Sequence, residues 1–395
     1  MTKRRSIAFF INYFDSFTGG PRVVYNFVRM IDTSRFRPVV LTNKRSPLTD
    51  SLEQAGIAFH VIEQDPSIDE GQKRVMDRGP LAKIGGAWKV YQYNNKISRV
   101  LKDESVDLLW VRNTKGVLLS GFAATRLRIP LIWDIGMEKT SKGMVGYLHN
   151  ISFWLAKKVV TESESVARSI FSQRQVKTNE EKLVVVRSGI PSDRVIEIES
   201  EKGAAKKSSE RFNIINIASI CDRKNQKMAI QSILPLIESH PEILVTFVGP
   251  VVEQEYFDEL NKTISEAGAE KNFEFLGWRD DATKLLVSSD LFLLCSKVEG
   301  VPYSVLESMH AKIPVVATAC GGVPAVIVDG ETGYLIQIDD VESMTNGVQS
   351  LLSNSKKRSQ MANSAYEFVL QNHTAENWCA TYMDLMDSLI NGSCK

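Results

Sequence analysis

The sequence predicts two doubly wound α/β domains joined by a charged segment, and three observations carry that prediction. Short Val/Ile/Leu/Phe runs alternate with helical periodicity along most of the chain. These runs are continuous rather than alternating, as expected of parallel strands covered by helices on both faces. The rhythm halts once, over residues 192–211 (SDRVIEIESEKGAAKKSSER), and then restarts. At 395 residues the chain is also too long for one ordinary domain.

Taken in order, residues 1–191 form a first domain with strands expected at 6–13, 37–42, 58–63, 108–112, 130–135, 158–161 and 183–187. Helical patterns such as GPRVVYNFVRMI and TKGVLLSGFAATRL separate most of them. Residues 192–211, charged and poor in large apolar side chains, read as a linker. A second domain over 212–372 repeats the plan, with strands in FNIINIASI, VTFVGP, FEFLG, LFLLCS, IPVVAT and GYLI. Residues 373–395 read as a helix that packs back toward the first domain.

Composition removes several classes of function. With 43% hydrophobic and 24% charged residues the chain is an ordinary globular protein. A formal net charge of +1 gives no reason to expect a nucleic-acid partner. The five cysteines form no C-x-x-C pair, which argues against a metal or disulfide framework and fits a reducing cytoplasm. Lys3-Arg4-Arg5 before SIAFFINYF has the look of a signal peptide, but the run passes into DSFTGGPR without a small-residue cleavage site. A first buried strand is the better reading, and no apolar stretch is long enough to span a membrane.

In open parallel sheets, ligands bind beyond the carboxyl ends of the strands, so the turns after the strands carry the functional information. After the first strand, Gly19-Gly20 opens a helix and lets backbone N–H groups approach an anion, although a plain tight turn explains the pair too. It is not G-x-G-x-x-G, and no ribose-binding acid follows, which disfavours a dinucleotide-dependent dehydrogenase. In ASICDRKNQKMAI, Arg223 and Lys224 stand where cations meet phosphates, or form a solvated basic loop.

The stretch CSKVEGVPYSVLESM is more specific. Gly300 permits an unusual backbone angle, Pro302 is suited to start a helix, and the N–H groups of Val301, Tyr303 and Ser304 turn a positive end outward. Glu307 lies about one turn into that helix, where a carboxylate accepts two hydrogen bonds from a vicinal diol, each worth about 1.5–3 kcal/mol. The alternative is a helix acid that complements the dipole. Glu299 precedes the helix and reaches another part of the same ligand. A second pair, Gly321-Gly322, precedes Pro324 and an expected second helix N-terminus, so the two termini together suggest an anion site. In FLGWRDDATKLL a flat base can lie against Gly277, Trp278 or Arg279, or Trp278 can be a packing residue.

From Ser296 to Pro324 this region resembles the E-x7-E signature of the group 1 (family 4) retaining glycosyltransferases, which have the GT-B fold of two facing Rossmann-like domains with a cleft between them. The likeness covers essentially the whole second half and is weaker in the first, where it rests on GGPRVV and element order. It implies that Glu307 binds ribose and that Glu299 faces the donor sugar beside the backbone from Gly300 to Tyr303. It further implies that Lys224 neutralises the donor diphosphate, that Gly20, Gly321 and Gly322 line the phosphate pocket, and that the base lies on the loop of Trp278 and Arg279. The chain departs from the family pattern at Ser219, where an arginine is frequent, at Gly136, where a histidine is common, and at Ala325, usually Glu. Arg223 is a candidate substitute for the arginine, and Asp134 or Glu138 for the sugar contact.

The resemblance implies transfer of a sugar from a nucleotide-diphosphate sugar to a glycan or lipid-linked acceptor with retention, the leaving phosphate serving as base and the domains closing over the donor. No Asp-x-Asp is present, so no metal and no cofactor beyond the donor substrate is expected. An inactive nucleotide-binding scaffold and a nucleotide-sugar epimerase are the alternatives. The acceptor belongs to the first domain, whose region 64–102 mixes Trp88, Tyr91 and Tyr93 with lysines and arginines. A peripheral membrane contact there competes with the favoured reading of a plain surface helix.

Overall fold

Two parallel sheets organise the chain; their inner strands are buried along most of their length because their residues are apolar on both sides, and the edge strands are only partly buried. The computed structural model describes residues 4–12, 20–68, 80–136, 144–204 and 210–392. They cluster into a first unit, Met1–Val186 with Trp378–Lys395, and a second, Arg187–Asn377.

The first unit runs β1 (Arg5–Ile11), α1 (Gly20–Met30), β2 (Phe36–Thr42), α2 (Pro47–Gln54), β3 (Phe59–Val61), α3 (Pro80–Asp103) and β4 (Leu108–Arg112). It continues with α4 (Thr114–Leu127), β5 (Leu131–Ile135), α5 (Met144–Leu155), β6 (Lys158–Thr161), α6 (Glu164–Ile170), α7 (Gln173–Thr178) and β7 (Leu183–Val185). Its sheet has the order β3-β2-β1-β4-β5-β6-β7, every pairing parallel. Phe9, Phe10 and Trp133 are fully buried in its core.

The second unit opens with α8 (Ser192–Ala204), β8 (Phe212–Ile217), α9 (Gln226–Ile237), β9 (Ile243–Val248), α10 (Gln254–Glu266), β10 (Phe273–Phe275) and α11 (Ala282–Val287). Then come β11 (Leu291–Leu294), α12 (Tyr303–His310), β12 (Val315–Thr318), β13 (Tyr334–Ile336), α13 (Val341–Leu352) and α14 (Ser355–Asn372). Its sheet is β10-β9-β8-β11-β12-β13, again parallel throughout. The last helix, α15 (Ala375–Gly392), belongs to the first unit from Trp378 onward, where Trp378 and Tyr382 set their ring edges against Phe27 at centroid distances of 5.2 and 5.5 Å.

One element departs from the sequence reading. Most of the segment expected as a linker is helix α8, a part of the second unit. Its charges hide a small apolar stripe: Ile198 is fully buried and Val195 packs beside it on the core formed by β11, α12 and β12. Several of the charges are also committed to partners on α12, so they do not mark a solvated chain.

Candidate functional site

In each sheet the chain's winding direction reverses beside the first strand, and in the second unit this places the ends of β8 and β11 side by side. After β8 the backbone makes one 3₁₀ turn, Asp222–Lys224, and Asn225 then takes a left-handed conformation (φ 54°) that starts α9. The Asn225 side chain is fixed by donating to Asp339 Oδ1 at 3.0 Å. The loop after β11 is tied to this turn through main chain and side chain. Lys297 N donates to Arg223 O at 2.9 Å, Arg223 Nη1 donates to Val298 O at 3.2 Å, and Lys297 Nζ meets Asp222 at 2.6 Å.

The Lys224 ammonium is held on the Glu299 carboxylate, and Ser296 Oγ donates to Glu299 Oε1 at 2.6 Å. Arg223 Nη1 lies 4.0 Å from the other Glu299 oxygen. The Glu299 side chain is only 8% exposed and that of Lys224 15%, so the pair sits in a medium where charge is felt strongly. An ammonium carries three donors, and one directed at Glu299 leaves others for a phosphate oxygen.

The floor of this corner is glycine by necessity. Gly321 has φ 50°, and a Cβ there would lie 1.8 Å from the Glu299 carbonyl oxygen. Gly322 N donates to Gly300 O at 3.0 Å, and Thr318 Oγ1 donates to Ser296 O at 2.6 Å. The unusual backbone angle expected at Gly300 is found at Gly321, whose φ is 50°. Pro302 occupies the N-cap of α12, with Tyr303 and Ser304 in the first turn and Val301 buried in the core beneath. The second helix N-terminus expected at Pro324 is a single 3₁₀ turn, Val323–Ala325, because the chain bends away at once toward β13. Of the two helix N-termini expected after the glycine turns, the one at Pro302 is therefore an α-helix and the one at Pro324 is not.

Glu307 is 9% exposed and faces an unexpected partner, Arg194 of α8. Arg194 Nε donates to Glu307 Oε1 at 2.9 Å and Nη2 to Oε2 at 3.2 Å, a bidentate pair, while Nη1 is bound to Glu197. A carboxylate has about four acceptor positions. The guanidinium takes one on each oxygen, leaving one on each for a pair of hydroxyls. Arg194 escaped sequence reasoning because its segment reads as linker. The signal that finds it is the spacing of Val195 and Ile198, which places Arg194 on the flank of a buried stripe.

The remaining sequence candidates are scattered. Gly277 adopts φ 64°, Trp278 is exposed with its Nε1 donating to Asp280 at 3.2 Å, and Arg279 forms a bidentate pair with Asp281 at 2.8 Å. Ser219 Oγ lies 3.9 Å from Cys221 Sγ, and its carbonyl accepts Gln226 Nε2 at 3.0 Å. In the first unit Asp134 is buried, paired with Arg112 Nη1 at 3.0 Å and hydrogen-bonded to Tyr382. Burial pushes its carboxyl up against the pull of Arg112, which makes it a core acid rather than a surface contact. A Cβ on Gly136 would lie 2.3 Å from Arg112 Nη2, so the guanidinium fills the space a larger residue there would need. Gly20 begins α1, while Gly19 and Glu138 lie outside the described residues.

Residues 197–368 match the model of the family described as glycosyl transferases group 1. Among curated proteins the chain is 25% identical to N-acetyl-alpha-D-glucosaminyl L-malate synthase of Bacillus anthracis, over 75% of this chain and 80% of that protein. It is 21% identical to an Escherichia coli UDP-Gal:alpha-D-GlcNAc-diphosphoundecaprenol alpha-1,3-galactosyltransferase, over 84% of each. Among solved structures, Anabaena HepE in complex with UDP superposes with a TM-score of 0.76 at 19% identity, covering 97% of this chain and all of that one. That likeness shows the fold.

Proposed function

We propose, from the match of residues 197–368 to the group 1 glycosyl transferases, that this chain carries out retaining transfer of a hexose or related sugar from a nucleoside-diphosphate sugar to a glycan or lipid-linked acceptor. The observation that supports it most is the Lys224–Glu299 pair at the switch point of the second sheet, with Glu307 on the helix that follows. In this reading Glu307 accepts the ribose hydroxyls, and Glu299 faces the donor sugar. Lys224, aided by Arg223 in place of the arginine replaced by Ser219, carries the charge that develops on the leaving diphosphate. The bond from the anomeric carbon to phosphate breaks as the acceptor oxygen attaches on the same face, and the acceptor's proton passes to the departing phosphate. Fixed cations and the α12 N-terminus stabilise the diphosphate, so the proposal requires no metal. We place the reaction in the cytoplasm; Cys221, Cys295 and Cys320 are free thiols, and among the described residues no helix is long and apolar enough to cross a membrane.

One observation favours a second reading, a nucleotide-binding scaffold without turnover: the space beside Gly136 is filled by Arg112. Thermal stabilisation by UDP, GDP, ADP, CDP and NAD, with Glu307→Ala beside the wild type, tests the donor site. Stabilisation by one nucleoside diphosphate, lost in the variant, is expected, and labelled donors then separate transferase from scaffold. No response to any nucleotide, or an equal response of the variant, refutes the site.

A further inference from the structure

Among the described residues, six aromatic side chains are at least half exposed, and five of them stand on three consecutive helices of the first unit. They are Trp88 and Tyr91 on α3, Phe122 on α4, and Tyr147 and Trp154 on α5, between 50% and 69% exposed. Solitary exposed aromatics need no explanation, but a contiguous cluster does.

The cluster is contiguous because the helices lie side by side in one layer. On α3, helical spacing aligns Trp88, Tyr91, Asn95, Arg99 and Lys102 in one stripe, and the Trp88 and Tyr91 rings stack at 5.4 Å. Arg126 of α4, one turn beyond Phe122, donates to Asn95 Oδ1 at 2.9 Å, which joins the α4 face to the middle of the α3 stripe. Gly121, next to Phe122, would place a Cβ 3.0 Å from Leu155, the neighbour of Trp154, so α5 borders α4 closely. On α5, Tyr147 and Trp154 are two turns apart on the same side.

Charge identifies the occupant. The whole chain carries a net charge of +1. The three helices carry seven Lys or Arg (five on α3, two on α4, none on α5) against one acid, Asp103, a balance of +6. Beside the stripe, Lys96 and Arg99 line an open groove of about 560 Å³ together with Arg45, Glu63, Val61 and Ile62, and Lys89 pairs with Asp65 at 3.0 Å. Rings with an apolar body and a polar edge, interleaved with cations in net excess over the acids beside them, match the interface of an anionic bilayer. We propose that the outer face of α3, α4 and α5 docks this protein on an anionic lipid surface, lying on the bilayer without crossing it. Helix α3 read alone favours an ordinary surface helix; the companion faces of α4 and α5 reverse that balance. The inference does not depend on the donor site, since every residue it uses belongs to the first unit.

The test is sedimentation of the full chain with vesicles of phosphatidylcholine, or of equal parts phosphatidylcholine and phosphatidylglycerol, at low and high salt. Binding is expected to the anionic vesicles and to weaken with salt. Replacing Arg99 or Lys102 by Gln should weaken it about fivefold each. Trp88→Ser with Tyr91→Ser and Trp154→Ser should weaken it at least about tenfold. These side chains are exposed, and nucleotide stabilisation measured on the same variants reports independently on folding and on the donor site. Absence of binding, equal binding to both vesicles, or an aromatic variant that binds like wild type overturns the proposal. So does a wild-type dimer abolished by the triple substitution, which would assign the face to a second copy of the chain.

Discussion

Arg194 ties the ribose reading to a single side-chain geometry. Its guanidinium fixes the plane of the Glu307 carboxylate and uses one acceptor position on each oxygen. If that fixes the remaining positions for a ribose diol, Arg194 is a positioning residue, and its removal should erode discrimination by the ribose rather than nucleotide binding in general. Wild type is expected to bind the ribonucleoside diphosphate roughly 10–100-fold more tightly than its 2′,3′-dideoxy analogue, the equivalent of about one charge-assisted hydrogen bond. Arg194→Met should collapse that ratio to a few-fold, and Arg194→Lys should restore part of it, because lysine keeps the charge but not the fork. Calorimetric titration of both ligands measures the ratio. A variant that is less stable yet keeps the full ratio makes Arg194 merely structural, and one that binds the ribonucleotide more tightly makes it a competitor. That Glu299, Lys224 and the glycine pair share one corner was legible in the sequence because each follows a strand, where type and spacing carry meaning. Arg194 was not, because its role depends on a contact 113 positions away in the chain.

Helix α8 carries its effect as an element. Besides Arg194, it presents Glu199 at 3.2 Å from His310 Nε2 and Lys202, which donates to the His310 carbonyl at 2.7 Å, so its polar flank grips the C-terminal end of α12. At the same end a small pocket of about 160 Å³ is lined by His310, His373, Val195 and Ile190. Burial lowers the affinity of both imidazoles for protons. For His310, Lys202 adds to that effect and Glu199 opposes it; for His373, the Ser188 carbonyl opposes it and Arg187 adds to it. Their folded pKa values lie below the unfolded value of about 6.5, so the unfolded chain binds more protons as pH falls. Stability is therefore full above about pH 6.5 and is lost progressively below it. Thermal melts should fall between pH 7.5 and pH 5, and His373→Gln should flatten the slope in that interval. A variant with the wild-type slope removes His373 from the account. The charges that made this segment read as a linker are the ones that attach it, which composition cannot distinguish from solvated charge. The 3₁₀ turn at Val323–Ala325 has a similar lesson: Gly-Gly-x-Pro marks the turn but not how many residues follow it helically.

Across the whole molecule the strand order is the most economical part of the design. Two sheets share the order 3-2-1-4-5-6, extended by one strand in the first, and each creates a crevice where its winding reverses. Unbroken apolar runs made this plan readable, because a doubly covered parallel strand has no polar face to lose. The two crevices nevertheless differ in chemistry. The second holds Lys224, Arg223, Glu299, Glu307 and the Gly321 corner within one unit. At the first, Arg112 is already engaged by Asp134 and Glu162, at 3.0 and 3.4 Å, and Asn12 is wholly buried at the end of β1. A nucleoside diphosphate should therefore draw its binding energy from the second unit. Hydrogen exchange checks this by location: with the nucleotide that stabilises the chain, amides of residues 218–227, 295–307 and 318–323 should slow, while those of β2, β3, β6 and β7 keep their rates. At a free concentration of about 100 times Kd the linked stabilisation is about 2.7 kcal/mol, enough to slow about 100-fold those amides that exchange through unfolding of the second unit. Protection confined to the first unit would place the nucleotide on Arg112 and the end of β4, and would leave the Lys224–Glu299 corner without the role assigned to it.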